Sequence, residues 1–165
     1  EILPKLRIHE ENVMERLVLD VCDPGFISEL LKMENKCIWV GKVEKLRLAG
    51  STVEILPKFR LDQENEMGEL VLTTKHSYNT TILKEENNSI WVGKVKRLKL
   101  YGHAVEILPK LIIHQENVME LLELNATVSY YVSGILGMEN KSIWVGKVRN
   151  VHLTGYAYRI EDKLI

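Results

Sequence analysis

Residues 43–57 read VEKLRLAGSTVEILP, and this stretch decides the fold. Its apolar residues fall at positions 1, 4, 6, 11 and 14 of the stretch, and a proline follows. The LRL triplet alternates with a period of two, which is typical of a β-strand with one buried face. The pattern therefore predicts a short strand that points Leu46 and Leu48 into a core and Arg47 outward.

The same frame recurs along the chain. It returns at residues 95–109 and 148–161, and a looser version starts from a methionine at residues 14–19, 67–72 and 119–124. Three longer strings repeat with it: EILPK at 1–5, 54–58 and 106–110; IWVGKV at 38–43, 90–95 and 143–148; and a Glu-Asn pair at 11–12, 64–65 and 116–117. Self-similarity at a fixed period is typical of repeat architectures.

The repeated strings divide the chain into three double units. Their ranges are 1–53, 54–105 and 106–158, and residues 159–165 form a divergent end. No Gly/Ser-rich or Pro-rich linker separates these copies, so we interpret 1–165 as one continuous array. Because the sequence opens in the middle of a unit, we expect it to be a fragment of a longer array.

The six phased triplets resemble the leucine-rich repeat family, with its signature LxxLxLxxNxLxxLP, across essentially the whole chain. The resemblance implies a β-dominated α/β solenoid, with a curved parallel sheet on the concave face and short helices or extended segments on the convex face. It also implies that the concave sheet binds a protein. The chain departs from the family at the ninth position, where asparagine is replaced, so we expect stacking to depend more on packing. The replacements are Ser51, His103, Cys22, Lys75, Thr127 and Tyr156.

The segments that return from one strand to the next differ between the two unit types. Residues 26–33 and 80–85 are expected to form a helical turn or two, whereas the glycines within 131–138 disfavour a regular helix. Apolar and polar residues alternate at 6–8, 59–61 and 111–113, which predicts extended segments there.

Composition excludes several classes of protein. With 22 Lys+Arg against 23 Asp+Glu, the net charge of −1 argues against a nucleic-acid partner. No apolar run approaches the roughly 18 residues of a spanning helix, so no membrane span is expected. Two cysteines, Cys22 and Cys37, make neither a disulfide framework nor a CxxC metal site. We expect no cofactor and no metal.

No catalytic motif can be assembled from the sequence, so we expect that the protein is not an enzyme. The five histidines are scattered, with no HxxxH spacing and no cysteine partner. The Gly-Lys pairs that begin at Gly41, Gly93 and Gly146 lack the upstream glycine and the following Ser/Thr of a phosphate loop. Their glycines are expected to allow a tight turn into the next strand.

Two recurring residue types have alternative interpretations. Trp39, Trp91 and Trp144 are expected to pack in a column in or beside the core, and the alternative is an exposed aromatic binding stripe. Glycosylation acceptor patterns occur at Asn79, Asn87, Asn125 and Asn140. Extracellular members of the family usually carry cysteine-rich caps, which this sequence lacks, so secreted and cytoplasmic locations stay equally open.

The outward positions of the strands predict the binding face. Acidic-leaning strands alternate with basic ones, and the expected partner-binding residues are Lys96, Arg97, Lys99, Tyr101, Arg47, Glu123 and His152. One interpretation is a ladder of exposed cross-strand ion pairs. The other is the basic, aromatic centre of a surface for an acidic protein. Tyr101 is expected to decide between them, because a ladder of ion pairs has no need of an exposed phenol.

Two functions follow as hypotheses. The first is a recognition module that binds a protein partner, whose identity the sequence does not give. The alternative is a structural protein of a coat, wall or filament that associates with its own kind through the open ends of the array. The charged residues 161–163 predict a polar C-terminal end, and the N-terminal end is expected to continue into more repeats or to dock.

Overall fold

The computed structural model describes residues 12–74 and 81–165, and one parallel β-sheet dominates it. Numbered in chain order, the main path of the sheet runs β1-β2-β4-β5-β7-β8. These strands are β1 Val13–Val21, β2 Ile38–Gly50, β4 Glu66–Thr74, β5 Ile90–Gly102, β7 Val118–Ala126 and β8 Lys147–Gly155. Two short strands, β3 (Phe59–Leu61) and β6 (Leu111–Ile113), pair with β2 and β5. The predicted β-dominated α/β class with a parallel sheet is confirmed.

The strands stack because their apolar triplets lie in register. Leu46 pairs with Leu17 on one side and Leu70 on the other, and the row continues through Leu98. The triplet leucines of β2, β4, β5 and β7 are almost completely buried, and burial of each contributes about 1.5–3 kcal/mol. In the outermost strands β1 and β8, the equivalent side chains are only half-buried or are exposed.

The segments after β1, β4 and β7 form short helical turns, as predicted. A 3₁₀ turn, Pro24–Ile27, leads into the helix α1 (Ser28–Leu31), and the 3₁₀ turn Ile82–Lys84 follows β4. The third segment repeats the first, with the 3₁₀ turn Ser129–Val132 and the helix α2 (Ser133–Leu136). The glycine within α2 therefore does not prevent a helical turn.

The segments after β2, β5 and β8 begin with a longer 3₁₀ helix that the sequence analysis did not predict. These helices are Ser51–Lys58, His103–Lys110 and Tyr156–Lys163. The extended segments predicted at 59–61 and 111–113 are confirmed as β3 and β6, whereas residues 6–8 lie outside the described residues. Each 3₁₀ helix follows a glycine with positive φ, and a Cβ at Gly50 would meet the carbonyl oxygen of Val21.

The glycines of the Gly-Lys pairs also have positive φ, but not in a turn before a strand. Gly41 and Gly93 lie inside β2 and β5, where the pairing register shifts by one residue. A β-bulge of this kind re-aims the side chains around it, and glycine adopts the required conformation without steric cost. The predicted tight turn is therefore wrong for these two residues.

Hydrogen bonds from two buried asparagines supplement the packing between strands. The Asn65 Oδ1 accepts from the Val43 backbone nitrogen at 2.7 Å. Asn117 makes two bonds with Val95, accepting from its nitrogen at 2.9 Å and donating to its carbonyl at 3.1 Å. The absence of asparagine at the ninth position therefore does not leave stacking to apolar contacts alone, because the asparagine of the Glu-Asn pair joins neighbouring strands.

Candidate functional site

The side chains that alternate with the core triplets project from the opposite side of the main sheet, which we call the open face. Strand register arranges them in rows. One row contains Val18, Arg47, Val71, Lys99, Glu123 and His152, and the next contains Asp20, Ala49, Thr73, Tyr101, Asn125 and Thr154. The pairing thus brings four of the predicted binding residues into a single row, with Val71 between Arg47 and Lys99.

Part of this face is a ladder of ion pairs. The Lys99 Nζ lies 2.9 Å from the Glu69 Oε1, and the Arg97 Nε lies 3.9 Å from the same oxygen. The hydrogen bond from Lys99 lowers the pKa of the Glu69 carboxyl, and the charges of Lys99 and Arg97 add to this effect. One carboxylate therefore serves two cations from the neighbouring strand.

Tyr101 is half-buried and belongs to the same polar network. Burial raises the pKa of Tyr101 to about 12, and a hydrogen bond with the Glu123 carboxylate and the negative charges of Glu123 and Glu69 act in the same direction. The sequence analysis required an exposed phenol as the sign of a binding surface. The Tyr101 side chain is only half exposed, so this condition is not met in full. The ring lies on the open face near these carboxylates, and Tyr101 alone does not decide in favour of a binding surface.

The central strands carry more positive charge than their carboxylates balance. On β2, β4 and β5 together, seven cations stand against three carboxylates: Lys42, Lys45, Arg47, Lys94, Lys96, Arg97 and Lys99 against Glu44, Glu66 and Glu69. Arg47 and Lys96 are exposed, and in the part of the chain that the structure describes neither lies within 4.0 Å of a carboxylate. This surplus, and not the paired ladder, is what remains available to a partner.

Trp39 and Trp91 line a groove, and Trp91 also packs against the core. Trp39 and Trp91 are half-buried, whereas Trp144 is exposed. The Arg60 guanidinium sits 4.9 Å from the centre of the Trp39 ring, a cation–π contact. A groove of about 1280 Å³ runs between Trp39 and Trp91 beside β3. The sequence analysis did not predict this groove. Each of the two tryptophans stands between apolar residues of a strand, and this alternation predicts that its indole points away from the core.

The glycosylation patterns occupy different environments. Asn87 and Asn140 accept hydrogen bonds from Lys110 at 2.9 Å and Lys163 at 2.6 Å. Asn125 lies on the open face, paired with Tyr101 on one side and Thr154 on the other. Asn79 lies outside the described residues. The sequence analysis did not predict this recurring lysine–asparagine hydrogen bond. Lys110 is the last residue of an EILPK string, and Lys163 occupies the equivalent position in the next copy.

Other chemical features of the described residues are few. Residues 12–74 and 81–165 contain no group of three His, Cys, Asp or Glu side chains placed to hold a metal ion. Cys22 and Cys37 are exposed and not bonded to one another. In the same residues, no helix is long and apolar enough to cross a membrane.

The C-terminal end of the sheet differs from its expected polar character. Glu161 and Asp162 are exposed, but Lys163 is buried, and the surface beside them presents apolar and aromatic side chains. The exposed ones are Trp144, Val151, Tyr156 and Tyr158. Glu161 and Asp162 therefore present charge to water as predicted, whereas the exposed apolar side chains of this end were not predicted. The N-terminal prediction concerns residues 1–5, which lie outside the described residues.

Comparisons with known proteins give no relative from which a function could be transferred. No protein-family model matches the chain, and neither a curated protein nor a solved structure matches it.

Proposed function

We propose that this chain is a leucine-rich repeat solenoid that recognises an acidic protein partner on the open face, and that it acts by binding and not by catalysis. The parallel order of strands and the stacked leucine triplets support this architecture. A parallel sheet is usually covered on both faces, so one that leaves a face to solvent offers a broad, rigid surface.

The observation that carries the proposal is the unbalanced positive charge of β2 and β5. Arg47 and Lys96 are exposed and lie apart from any described carboxylate, so a partner's acidic groups meet them without displacing an existing pair. Arg97 and Lys99 share Glu69, so a second carboxylate from the partner would complete their pairing. Complementary charge of this kind accelerates encounter and suppresses wrong partners.

Tyr101 contributes apolar contact area at a fixed position. The ring is half-buried between neighbouring strands, so little conformational freedom is lost on binding. Tyrosine and arginine dominate the energetic centres of protein interfaces. The alternative, a self-assembling structural protein, places its contacts at the ends of the sheet instead of on this face.

The test is a titration with a fluorescently labelled polyglutamate peptide, followed by anisotropy at low and high salt. We expect the Arg47→Glu/Lys96→Glu variant to bind at least about tenfold more weakly than the wild type. These two residues are chosen because their replacement leaves the Lys99–Glu69–Arg97 pairing in place. Circular dichroism checks that the variant is folded.

The matched control is Lys32→Glu/Lys141→Glu, which makes the same change in net charge on exposed residues outside the main sheet. This control should bind like the wild type. Equal losses in both double variants would mean that the peptide responds only to net charge, and the proposed face would be rejected. Undiminished binding by Arg47→Glu/Lys96→Glu would reject it as well.

A further inference from the structure

The groove between Trp39 and Trp91 lies apart from the open face. Trp39 stands near the start of β2, and Trp91 holds the same place in β5. Both precede the main-sheet part of their strands, which in β2 begins at Lys42. Arg60 of β3 pairs with Trp39 and also lines the groove. Each of two successive copies therefore contributes one indole to a single groove.

The two indoles recur with the spacing of the copies. In the main sheet β4 alone separates β2 from β5, so these strands lie two strand spacings apart, about 9.4–9.8 Å. A polyproline II helix has three residues per turn and rises 3.1 Å per residue, so it repeats after about 9.3 Å. Prolines three residues apart would therefore meet equivalent indoles in successive copies.

Both indoles are held in place by their neighbours. The Arg60 guanidinium contacts the Trp39 ring. The Trp91 Nε1 donates to the Asp62 carbonyl oxygen at 3.4 Å, and the ring packs edge-on against His114, with centroids 6.0 Å apart. Each indole is only half-buried, so part of its surface stays open to a ligand. Rings fixed in this way lose little conformational freedom on binding.

The groove carries hydrogen-bond donors that lack partners. Within residues 12–74 and 81–165, the Trp39 Nε1 and the Arg60 guanidinium make no hydrogen bond and no ion pair. Both groups can only donate. A polyproline II segment has the opposite character, because its carbonyls make no internal hydrogen bonds and proline has no backbone N–H. A ligand rich in acceptors and poor in donors therefore suits these two side chains.

Carboxylates that line the groove favour basic residues beside the prolines. Asp62 and Glu64 share the Lys42 ammonium, at 4.0 Å and 3.8 Å. Glu85 accepts a hydrogen bond from Asn35 at 2.9 Å. The Glu64 side chain is 87% exposed, so a cation from a ligand reaches it without displacing a buried contact. Opposite charge at this place adds to the contacts that the indoles make.

We propose that this groove binds a proline-rich segment of another protein, in the polyproline II conformation and with basic residues beside its prolines. Aromatic-lined grooves recognise such segments because the ligand is already extended before it binds. The prolines of residues 1–165 stand at positions 4, 24, 57 and 109, too far apart to supply the segment. This inference does not rest on the proposed open-face function.

Fluorescence anisotropy with two labelled peptides of equal composition tests the proposal. Both contain two prolines among alanines and end in two arginines. In the first peptide the prolines stand three positions apart, and in the second they stand two apart. We expect the full chain to bind the first at least about fivefold more tightly, since only its prolines recur at the spacing of the indoles.

Variants of the groove give the second part of the test. Trp39→Ala and Trp91→Ala should each weaken binding of the first peptide at least about tenfold, because each removes a stacking surface. Trp39→Phe and Trp91→Phe keep a ring and serve where circular dichroism shows that an alanine variant unfolds. Each should lose about threefold, because the smaller ring offers less contact and no N–H. Phe26→Ala is the matched control, since it removes a ring that is 80% exposed and lies outside the groove, and it should bind like the wild type.

Four results would overturn the proposal. One is equal affinity for the two peptides, and another is undiminished binding by a folded Trp39→Ala. A third is an equal loss in Phe26→Ala and Trp39→Ala, which would indicate contact with any exposed ring. The fourth is binding of a labelled cello-oligosaccharide without binding of either peptide, which would make the groove a saccharide site.

Charge variants test the basic residues of the ligand. Glu64→Gln/Glu85→Gln should weaken binding of the first peptide about threefold at low salt, and should leave unchanged the binding of a peptide with alanines in place of the arginines. Equal losses with both peptides would exclude the basic residues. Arg47→Glu/Lys96→Glu should bind the first peptide normally, and Trp39→Ala should bind polyglutamate normally. The failure of one proposal is thus distinguishable from the failure of the other.

Discussion

At the scale of single residues, the asparagines of the Glu-Asn pairs connect one copy to the next. Asn117 satisfies both backbone polar groups of Val95, whereas Asn65 bonds only the nitrogen of Val43. The side-chain nitrogen of Asn65 is buried without a hydrogen-bond partner among the described residues. The two asparagines occupy the same place in the sequence, but Asn117 makes the more complete contact.

Replacement of Asn117 by alanine should lower the free energy of unfolding by about 1–3 kcal/mol, because it leaves two buried backbone groups of Val95 unsatisfied. Urea unfolding followed by tryptophan fluorescence measures the loss. Asn12→Ala is the matched control, since this asparagine is exposed. An equal effect of the two changes on the unfolding midpoint would contradict the assigned role of Asn117.

Glu54 is a buried carboxylate with an unusual environment. Its Oε2 accepts hydrogen bonds from the backbone nitrogens of Thr81 and Ile82, both at 3.1 Å, while its Oε1 is buried without a partner among the described residues. Burial raises the pKa of Glu54 above its ordinary value of 4.5, although the two backbone hydrogen bonds act in the opposite direction. The folded state therefore holds this proton more tightly than the unfolded state does.

The sign of the resulting pH dependence follows from this difference. Below pH 4.5 the carboxyl is protonated in both states, and as pH rises through the raised pKa the folded protein loses stability. Glu54→Gln removes the ionisation, so its stability relative to the wild type should improve between pH 4 and pH 7. Urea unfolding at both pH values measures this. Glu86→Gln, at an exposed residue, should show no such gain.

At the scale of elements, the strands follow from the sequence more completely than the segments between them. Period-two alternation identifies each LxL triplet as a strand, and the burial of Leu98 and Leu100 agrees with the predicted face. The 3₁₀ helix Ser51–Lys58 carries no such signal, since it contains β-branched residues and Pro57. All eight of its residues are buried, so contacts with neighbouring segments determine its conformation.

The candidate site can likewise be predicted from the sequence only in part. Alternation predicts that Lys99 and Glu123 point outward, and the structure places both on the open face. It does not predict that Glu69 serves two cations or that Tyr101 lies near the Glu123 carboxylate, because such neighbours depend on the register between strands. The groove between the tryptophans requires four segments to meet, within 35–39, 57–64, 85–91 and 112–114, and no single stretch of sequence encodes it.

The position of a strand in the sheet determines how much its core residue contributes to the free energy of unfolding. Leu98→Ala should lower the free energy of unfolding by about 2–5 kcal/mol, because it opens a cavity between two flanking strands. Val151→Ala should cost less than about 1 kcal/mol, since half of that side chain already meets solvent. Denaturant midpoints of the two variants give the comparison. Equal losses would contradict the register that makes these residues equivalent.

At the scale of the whole molecule, one sheet offers two kinds of surface in perpendicular directions. The open face presents side chains along the sheet normal, and the ends present backbone and core residues along the strand-pairing direction.

The uniform spacing of paired strands has a consequence for how the chain folds. Leu17 and Leu46 are 29 residues apart, Leu46 and Leu70 are 24 apart, and no main-sheet strand pairs with one farther along the chain. The entropy lost in closing a loop grows with the length of that loop and not with the length of the protein. Each new strand therefore meets the same modest barrier as the one before it. A protein with twice as many copies would close no longer loop, so its slowest pairing step should take no more time than it does here.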